Sequence, residues 1–293
     1  MTRVVVVTGG KGGVGKTFVA VNVADLLARE WSLRVLLVDL DVSNPCTPSL
    51  LGLPVREREP VTVFRPRIDR AKCARCGVCV ERCPAHALVL IPGKGLMLIG
   101  TLCEGCAMCL YVCPRGAIRE GEEVVGWVSV TEEVSGLRLV YGELVPGGRQ
   151  EGEVAERTLE SSRRFWEGYD YVVVDTPPGT GKVILRAVSV ADLVLSVTEP
   201  TRLGLHDLAK LHSLVKRLGK REVVVVNKYG IPYGDYDELE GFLKAEGLAS
   251  LRIPYSEGAL RSYFEGKPVR LSGEPEVLER LRDVVRAVVS GHT

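Results

Sequence analysis

Side-chain amides are scarce in this sequence: Asn occurs only as Asn22, Asn44 and Asn227, and Gln only as Gln150. A shortage of such thermolabile residues is typical of heat-adapted proteins, and a biased genome produces it as well. An excess of either charge sign is also missing. Lys and Arg number 38 against 37 Asp and Glu, a formal net charge of +1, which removes the electrostatic case for a nucleic-acid partner or a membrane surface. No apolar run approaches the length of a membrane span. The N-terminus enters a strand-like run without a charged n-region, an apolar h-region or a cleavage site, so the expected location is the cytoplasm.

What is present is the material of a globular chain of 293 residues, 46% hydrophobic and 26% charged, enough for one large domain or two unequal ones. Nine cysteines are an odd number, and eight of them fall in two tight groups. Without a secretory signal, such grouping favours metal binding over disulfides.

Residues 3–7 form a β-branched run suited to a strand buried on both faces. A glycine-rich loop follows over residues 9–15. Residues 16–29 then show helical spacing through Val19, Val23, Leu26 and Leu27. Residues 34–38 read as a second buried strand, leading into Asp39 and Asp41. This β-loop-α-β unit opens a parallel α/β sheet. The rhythm breaks between about residues 56 and 121, where the cysteine groups and several prolines lie. It returns in strand-like runs at 171–174, 193–197 and 222–226, and in helices at 205–218 and 276–289. The expected organisation is a P-loop domain with a parallel sheet flanked by helices, made from residues 1–57 and 122–293. A small α+β segment at 58–121 interrupts it.

Gly10-Lys11-Gly12-Gly13-Val14-Gly15-Lys16-Thr17 fits the P-loop pattern between a buried strand and a helix, with Phe18 next in the helix. Its glycines let backbone N–H groups turn toward phosphate oxygens, and the helix N-terminus adds partial positive charge. Lys16 is expected to reach the β- and γ-phosphates of ATP, and the Thr17 hydroxyl to ligate Mg²⁺.

With its second lysine, this loop resembles the deviant P-loop of MinD/ParA/Mrp ATPases. The resemblance implies that Lys11 acts on the nucleotide of a partner subunit, as an arginine finger would. It also implies that Asp41 orients the attacking water while Asp39 assists near Mg²⁺. Residues 171–181, with Asp175 and a Pro-Pro-Gly turn, resemble the family's Walker B and second switch. Asp175 is then a Mg²⁺ carboxylate. Asn227 matches an adenine-contacting asparagine, Pro254 falls in a segment that closes the base pocket, and residues 197–201 resemble a further strand end near the nucleotide. Lys11, Lys16 and Asp41 are thus the candidate catalytic residues. The implied assembly is a homodimer with ATP or ADP at the interface.

Cys73, Cys76, Cys79 and Cys83-Pro84 repeat as Cys103, Cys106, Cys109 and Cys113-Pro114, the run of a two-cluster bacterial-type ferredoxin stated twice. In such a run the fourth cysteine serves the other cluster. Cys73, Cys76, Cys79 and Cys113 are therefore assigned to one [4Fe–4S] cluster, and Cys103, Cys106, Cys109 and Cys83 to a second. A zinc ribbon would leave the third and fourth cysteine of each run, and both prolines, without a task. Cys46 stands outside the pattern and reads as a small buried hydrophobe more than a ligand, with a redox role left open by its place just after Asp41. His86 finds every ligand position filled, and His206 and His212 read as the polar side or margin of a helix.

The chain as a whole resembles MinD-superfamily ATPases carrying a ferredoxin insert, a group related to Mrp/Nbp cluster carriers and nitrogenase iron protein. It departs from those relatives in having no Cys-x-x-Cys pair in its second half to bridge two subunits. Three functions stay open: an ATP-gated electron carrier, a maturation ATPase for iron–sulfur or other metal centres, and a redox-sensing regulatory or positioning ATPase. The first two imply a redox or cluster-accepting protein partner.

Overall fold

The structure, a computed structural model, describes residues 2–290. In chain order the elements are β1 (Arg3–Thr8), α1 (Lys16–Arg29), β2 (Val35–Asp39), α2 (Thr47–Leu51), β3 (Val55–Phe64), β4 (Arg67–Ile68) and α3 (Val78–Glu81). Next come β5 (Leu88–Ile91), β6 (Gly95–Leu98), α4 (Met108–Val112), β7 (Ile118–Arg119), β8 (Glu122–Thr131), β9 (Leu137–Leu144) and α5 (Glu151–Ser162). The remainder is β10 (Tyr171–Asp175), α6 (Lys182–Ser189), β11 (Leu193–Thr198), α7 (Arg202–Arg217), β12 (Arg221–Tyr229), α8 (Tyr236–Ala245), β13 (Ser250–Pro254), α9 (Glu257–Phe264) and α10 (Pro275–Ser290).

The chain divides into two compact units. The first holds the residues up to Arg58, Val128–Glu143 and those from Ala155 on; the second holds Glu59–Trp127 and Leu144–Val154.

In the first unit, β13, β12, β11, β1, β10, β2 and β9 lie side by side in that order, and every adjacent pair among them is parallel. β8 and β3 follow β9 in the sheet order. The parallel strands β1, β2 and β10 are valine- and leucine-rich, and apart from the exposed Arg3 their residues are buried. That is the composition of strands covered on both faces by crossover helices. α1 packs on β1, β2 and β10, and α10 packs on α1 and β13. The 205–218 helix expected from spacing starts earlier, at Arg202, because the Thr201 hydroxyl accepts the Gly204 N–H as an N-cap. The sequence pattern gave no sign of β8 and β9. Their apolar residues are not confined to one alternating face, a mixed signal between the two periodicities.

In the second unit, two short antiparallel pairs, β4 with β7 and β5 with β6, flank the one-turn helices α3 and α4, which touch each other. Its apolar centre is small: Cys79, Leu88, Leu96, Cys109 and Ile118 are the buried members. Among the described residues no helix is long and apolar enough to cross a membrane.

Candidate functional site

Parallel strands direct their C-terminal ends, with the loops that follow, to one edge of the sheet, where α/β proteins place their ligands. β1 delivers the glycine loop there. Gly15 has φ +97, and a Cβ on it would stand 2.1 Å from Asn227 Nδ2, so this position tolerates only glycine. Two side chains from the end of β12 brace the loop. Asn227 Nδ2 donates to the Val14 carbonyl at 2.8 Å, and Lys228 Nζ to the Gly13 carbonyl at 2.7 Å. Lys16 is buried and donates from Nζ to the Lys11 carbonyl at 3.0 Å. Gly10 packs so closely on Asp207 that a Cβ would meet its Cβ at 2.6 Å.

β2 and β10 bring two acids together. Asp39 and Asp175 are partners in register on adjacent strands, and both are fully buried. Asp39 accepts from the Thr47 hydroxyl at 2.7 Å and from the Asp41 N–H at 2.9 Å. Burial nevertheless pushes its carboxyl up to about 7. Among the described residues neither carboxylate oxygen of Asp175 has a hydrogen-bond partner of good geometry, the Thr17 hydroxyl being the polar group beside it. Burial first, then the Asp39 charge, pushes Asp175 well above the usual carboxylate range, although Thr17 and Lys16 beside it favour the anion. Burial holds the Lys16 ammonium below its ordinary value, against the pull of Asp175 and Asp41. An orphaned carboxylate next to a P-loop threonine is the environment a divalent cation relieves.

A cavity of about 360 Å³ opens over this edge, and its walls include Gly12, Gly13, Gly15, Lys16, Thr17, Phe18, Asp41, Asn227 and Pro254. Of the other candidates, Val14 is buried in the core, while Asp39 and Asp175 lie buried at their strand ends. Lys11 turns to Glu199, with Nζ 3.1 Å from Oε1. Glu199 is itself buried and pairs through Oε2 with Lys228 at 3.0 Å.

Several contributors were not legible in the sequence. Glu199 lies in a segment flagged only as a strand end. Lys228 was signalled by nothing but adjacency to Asn227, and Thr47 by nothing at all. Cys46, read as a small buried hydrophobe, is half-buried and lines the cavity with Tyr255 and Tyr263. His212, read as lying at a helix margin, is buried between Glu222 at 2.7 Å and Glu246 at 3.3 Å.

The second unit gathers thiols. Cys73, Cys76, Cys79 and Cys113 line one cavity together with Arg75, Arg115 and Ile118. Burial pushes the Cys79 thiol up, and neighbouring Cys113, Cys73 and Cys76 add to the shift. At Cys113 the desolvation is outweighed by backbone N–H groups of Ala117, Arg115, Ile118 and Gly116, which hold its thiol below the ordinary value. Cys109 is pushed up to about 11 by burial, with Cys103 and Cys106 adding charge nearby. Two sulfurs accept matching backbone bonds: Ala87 N–H to Cys83 Sγ at 3.3 Å and Ala117 N–H to Cys113 Sγ at 3.2 Å. The Arg65 guanidinium donates to the Cys103 carbonyl and pairs with Glu123. Among the described residues no three His, Cys, Asp or Glu side chains converge on a single metal ion.

A glycine-rich loop between a buried parallel strand and a helix, with acids at the neighbouring strand ends, defines a nucleotide-binding P-loop domain. Residues 5–269 match the CobQ/CobB/MinD/ParA nucleotide binding domain; the chain belongs to this family of P-loop ATPases. An uncharacterized protein of Methanocaldococcus jannaschii is 29% identical over 90% of both chains. An iron-sulfur cluster carrier protein of Pyrococcus abyssi is 24% identical over 98% of this chain and 85% of its own. The solved structure of the septum site-determining protein MinD of Pyrococcus horikoshii, complexed with Mg-ADP, superposes with a TM-score of 0.62 at 18% identity, covering 99% of this chain and 98% of that one.

Proposed function

We propose that this ATPase couples the nucleotide state of a P-loop dimer to electron transfer through two [4Fe–4S] clusters held by the segment at residues 58–121. The observation that carries the reading is the interleaving of the two cysteine runs. The fourth cysteine of the second run, Cys113, lines the same cavity as the first three of the first, Cys73, Cys76 and Cys79. A two-cluster ferredoxin needs that exchange, and a pair of independent zinc sites does not. The backbone N–H bonds to Cys83 and Cys113 Sγ suit thiolate ligands, because they stabilise negative charge on sulfur. Cys83 with Cys103, Cys106 and Cys109 is proposed for the second cluster. Bound clusters supply one-electron chemistry.

In the nucleotide site, the loop N–H groups and Lys16 hold the phosphates, while Asn227 and Pro254 flank the base. Thr17, Asp39, Asp41 and Asp175 are the proposed Mg²⁺ residues. Mg²⁺ held there would supply positive charge to the phosphates. Asp41 orients the water, and Asp39, which accepts the Asp41 N–H, helps hold Asp41 in place. Lys11 is proposed to act across a dimer interface, which requires it to leave Glu199.

A second reading, a factor that assembles or carries iron–sulfur centres, draws support from the likeness to the Pyrococcus abyssi carrier. Against it, the only cysteine outside the two runs is Cys46, and ligation by eight thiolates suits retention of clusters more than their release. Anaerobic purification with iron and sulfide counts, then ATPase rates with the clusters oxidised and reduced, tests the first reading. About eight irons per chain and a rate that follows redox state are expected. Intact transfer of labelled clusters to an apo-acceptor would instead favour assembly.

A further inference from the structure

The two cysteine runs repeat with an offset of 30 residues, Cys73 matching Cys103 and Cys83 matching Cys113. The repeat keeps the thiols and changes the surface around them. Arg70, Lys72 and Arg75 in the first run have Gly100, Leu102 and Gly105 as counterparts, and Arg115 in the second has Ala85. Arg75 and Arg115 line the cavity of Cys73, Cys76, Cys79 and Cys113, and no acidic residue does. All four cations are exposed, and so is Cys76 among them. The nearest acid in sequence, Asp69, is engaged by Arg119 at 2.8 Å. Around the second run the exposed groups include Leu102, Glu104, Cys106, Met108 and Tyr111, and Arg82 is exposed beside Cys83.

Two exposed cations on the cavity wall, with Arg70 and Lys72 within three residues of Cys73 and no ion pair to any of the four among the described residues, concentrate positive potential beside the exposed Cys76 in a chain of net charge +1. Such a field speeds encounter with a partner of opposite charge and orients it, in a way that salt screens. It also places that partner beside the exposed Cys76.

We propose that the rim of Arg70, Lys72, Arg75 and Arg115 is the docking surface for an acidic one-electron carrier protein, which exchanges its electron with the group held by Cys73, Cys76, Cys79 and Cys113. This rests on the cluster reading above. In the exchange one electron passes from the reduced chain to the oxidised carrier; no bond, proton or leaving group moves. Polyanions such as DNA share the charge but not the redox centre, and the position of Arg75 and Arg115 on the wall of the thiol cavity favours the carrier.

The test uses the full chain purified anaerobically, with an acidic plant-type [2Fe–2S] ferredoxin as probe and a 20-base-pair DNA duplex as control. Calorimetry gives the Kd, and stopped-flow spectroscopy gives the second-order transfer rate across a salt series. Arg75→Glu/Arg115→Glu is expected to weaken binding and slow transfer by about tenfold or more at low salt and to flatten the salt dependence. Arg70→Glu/Lys72→Glu, further from the thiols, is expected to act in the same direction without disturbing the cluster. Lys210→Glu/Arg217→Glu, an equal charge change on α7, should leave both readouts within about twofold. Iron content and the EPR spectrum are recorded for every variant. Iron present with binding and salt slope unaffected by either rim variant overturns the docking surface alone. Iron absent from the parent chain overturns the cluster reading and the electron step with it. Tighter binding of the duplex than of the ferredoxin, lost in the same variants, also overturns the proposal.

Discussion

In the first unit Asp39 and Asp175 sit at the ends of strands whose other residues are buried, backed by a large apolar core. In the second unit two of the five buried core residues are themselves cysteines, carried on helices of one turn and strands of two to four residues. A region of that size buries too little apolar surface to hold its own shape firmly. On the cluster reading proposed above, its thiols are structural as well as chemical, and the clusters are part of what folds it. The nucleotide site is preorganised by packing; on that same cluster reading, the cysteine segment is organised by its ligand.

The largest effect expected from breaking this comparison is on catalysis. Lys16→Ala removes the buried ammonium at the loop and should lower ATP hydrolysis by about 10³-fold, with iron content unchanged. A matching loss of iron would show that the two units are not independent in folding. The next effect is on local stability. Chelating the iron should lower hydrogen-exchange protection at residues 67–119 by about 100-fold, while β1, β10 and β11 change by less than about threefold. Uniform loss across both units would erase the distinction.

A smaller effect concerns the parked lysine. A double-mutant cycle of Lys11→Ala and Glu199→Ala in the nucleotide-free chain, read by denaturant unfolding, should give a coupling of about 1 kcal/mol. Addition of ATP should reduce it, since Lys11 is then needed elsewhere.

The subtlest effect is the pH response of the empty site. Asp39 is raised from 3.8 to about 7, so the folded chain holds a proton there that the unfolded chain has lost. Its contribution to stability is complete below about 3.8 and is lost as pH rises through about 7. Asp39→Asn should flatten that fall, and Mg²⁺ with ADP should abolish it in the parent chain.

Much of the nucleotide unit could be read directly from the sequence. The β1-loop-α1-β2 unit follows from valine runs and glycine spacing, and α1 begins and ends where its periodicity does. The acids Asp39 and Asp175 were marked by the strands before them. Their adjacency was not, since it depends on β10 inserting beside β2 more than a hundred residues later in the chain. Glu199, Lys228 and Thr47 act through contacts that only the assembled sheet edge creates. The cysteine runs pointed to cluster ligation by their spacing, and the meeting of Cys113 with Cys73, Cys76 and Cys79 on one cavity needed the fold. The difference in charge between the two runs could also have been read from the 30-residue offset, but the convergence of Arg115 with Arg75 on one cavity required the fold.

Coupling between nucleotide and clusters is tested most directly by EPR-monitored potentiometry of the full chain without nucleotide, with Mg²⁺ and ADP, and with Mg²⁺ and ATP. A midpoint shift of about 60 mV, a tenfold change for a one-electron couple, between the ADP and ATP forms, absent in Lys16→Ala, is the predicted result. Identical potentials in all three states would contradict the account.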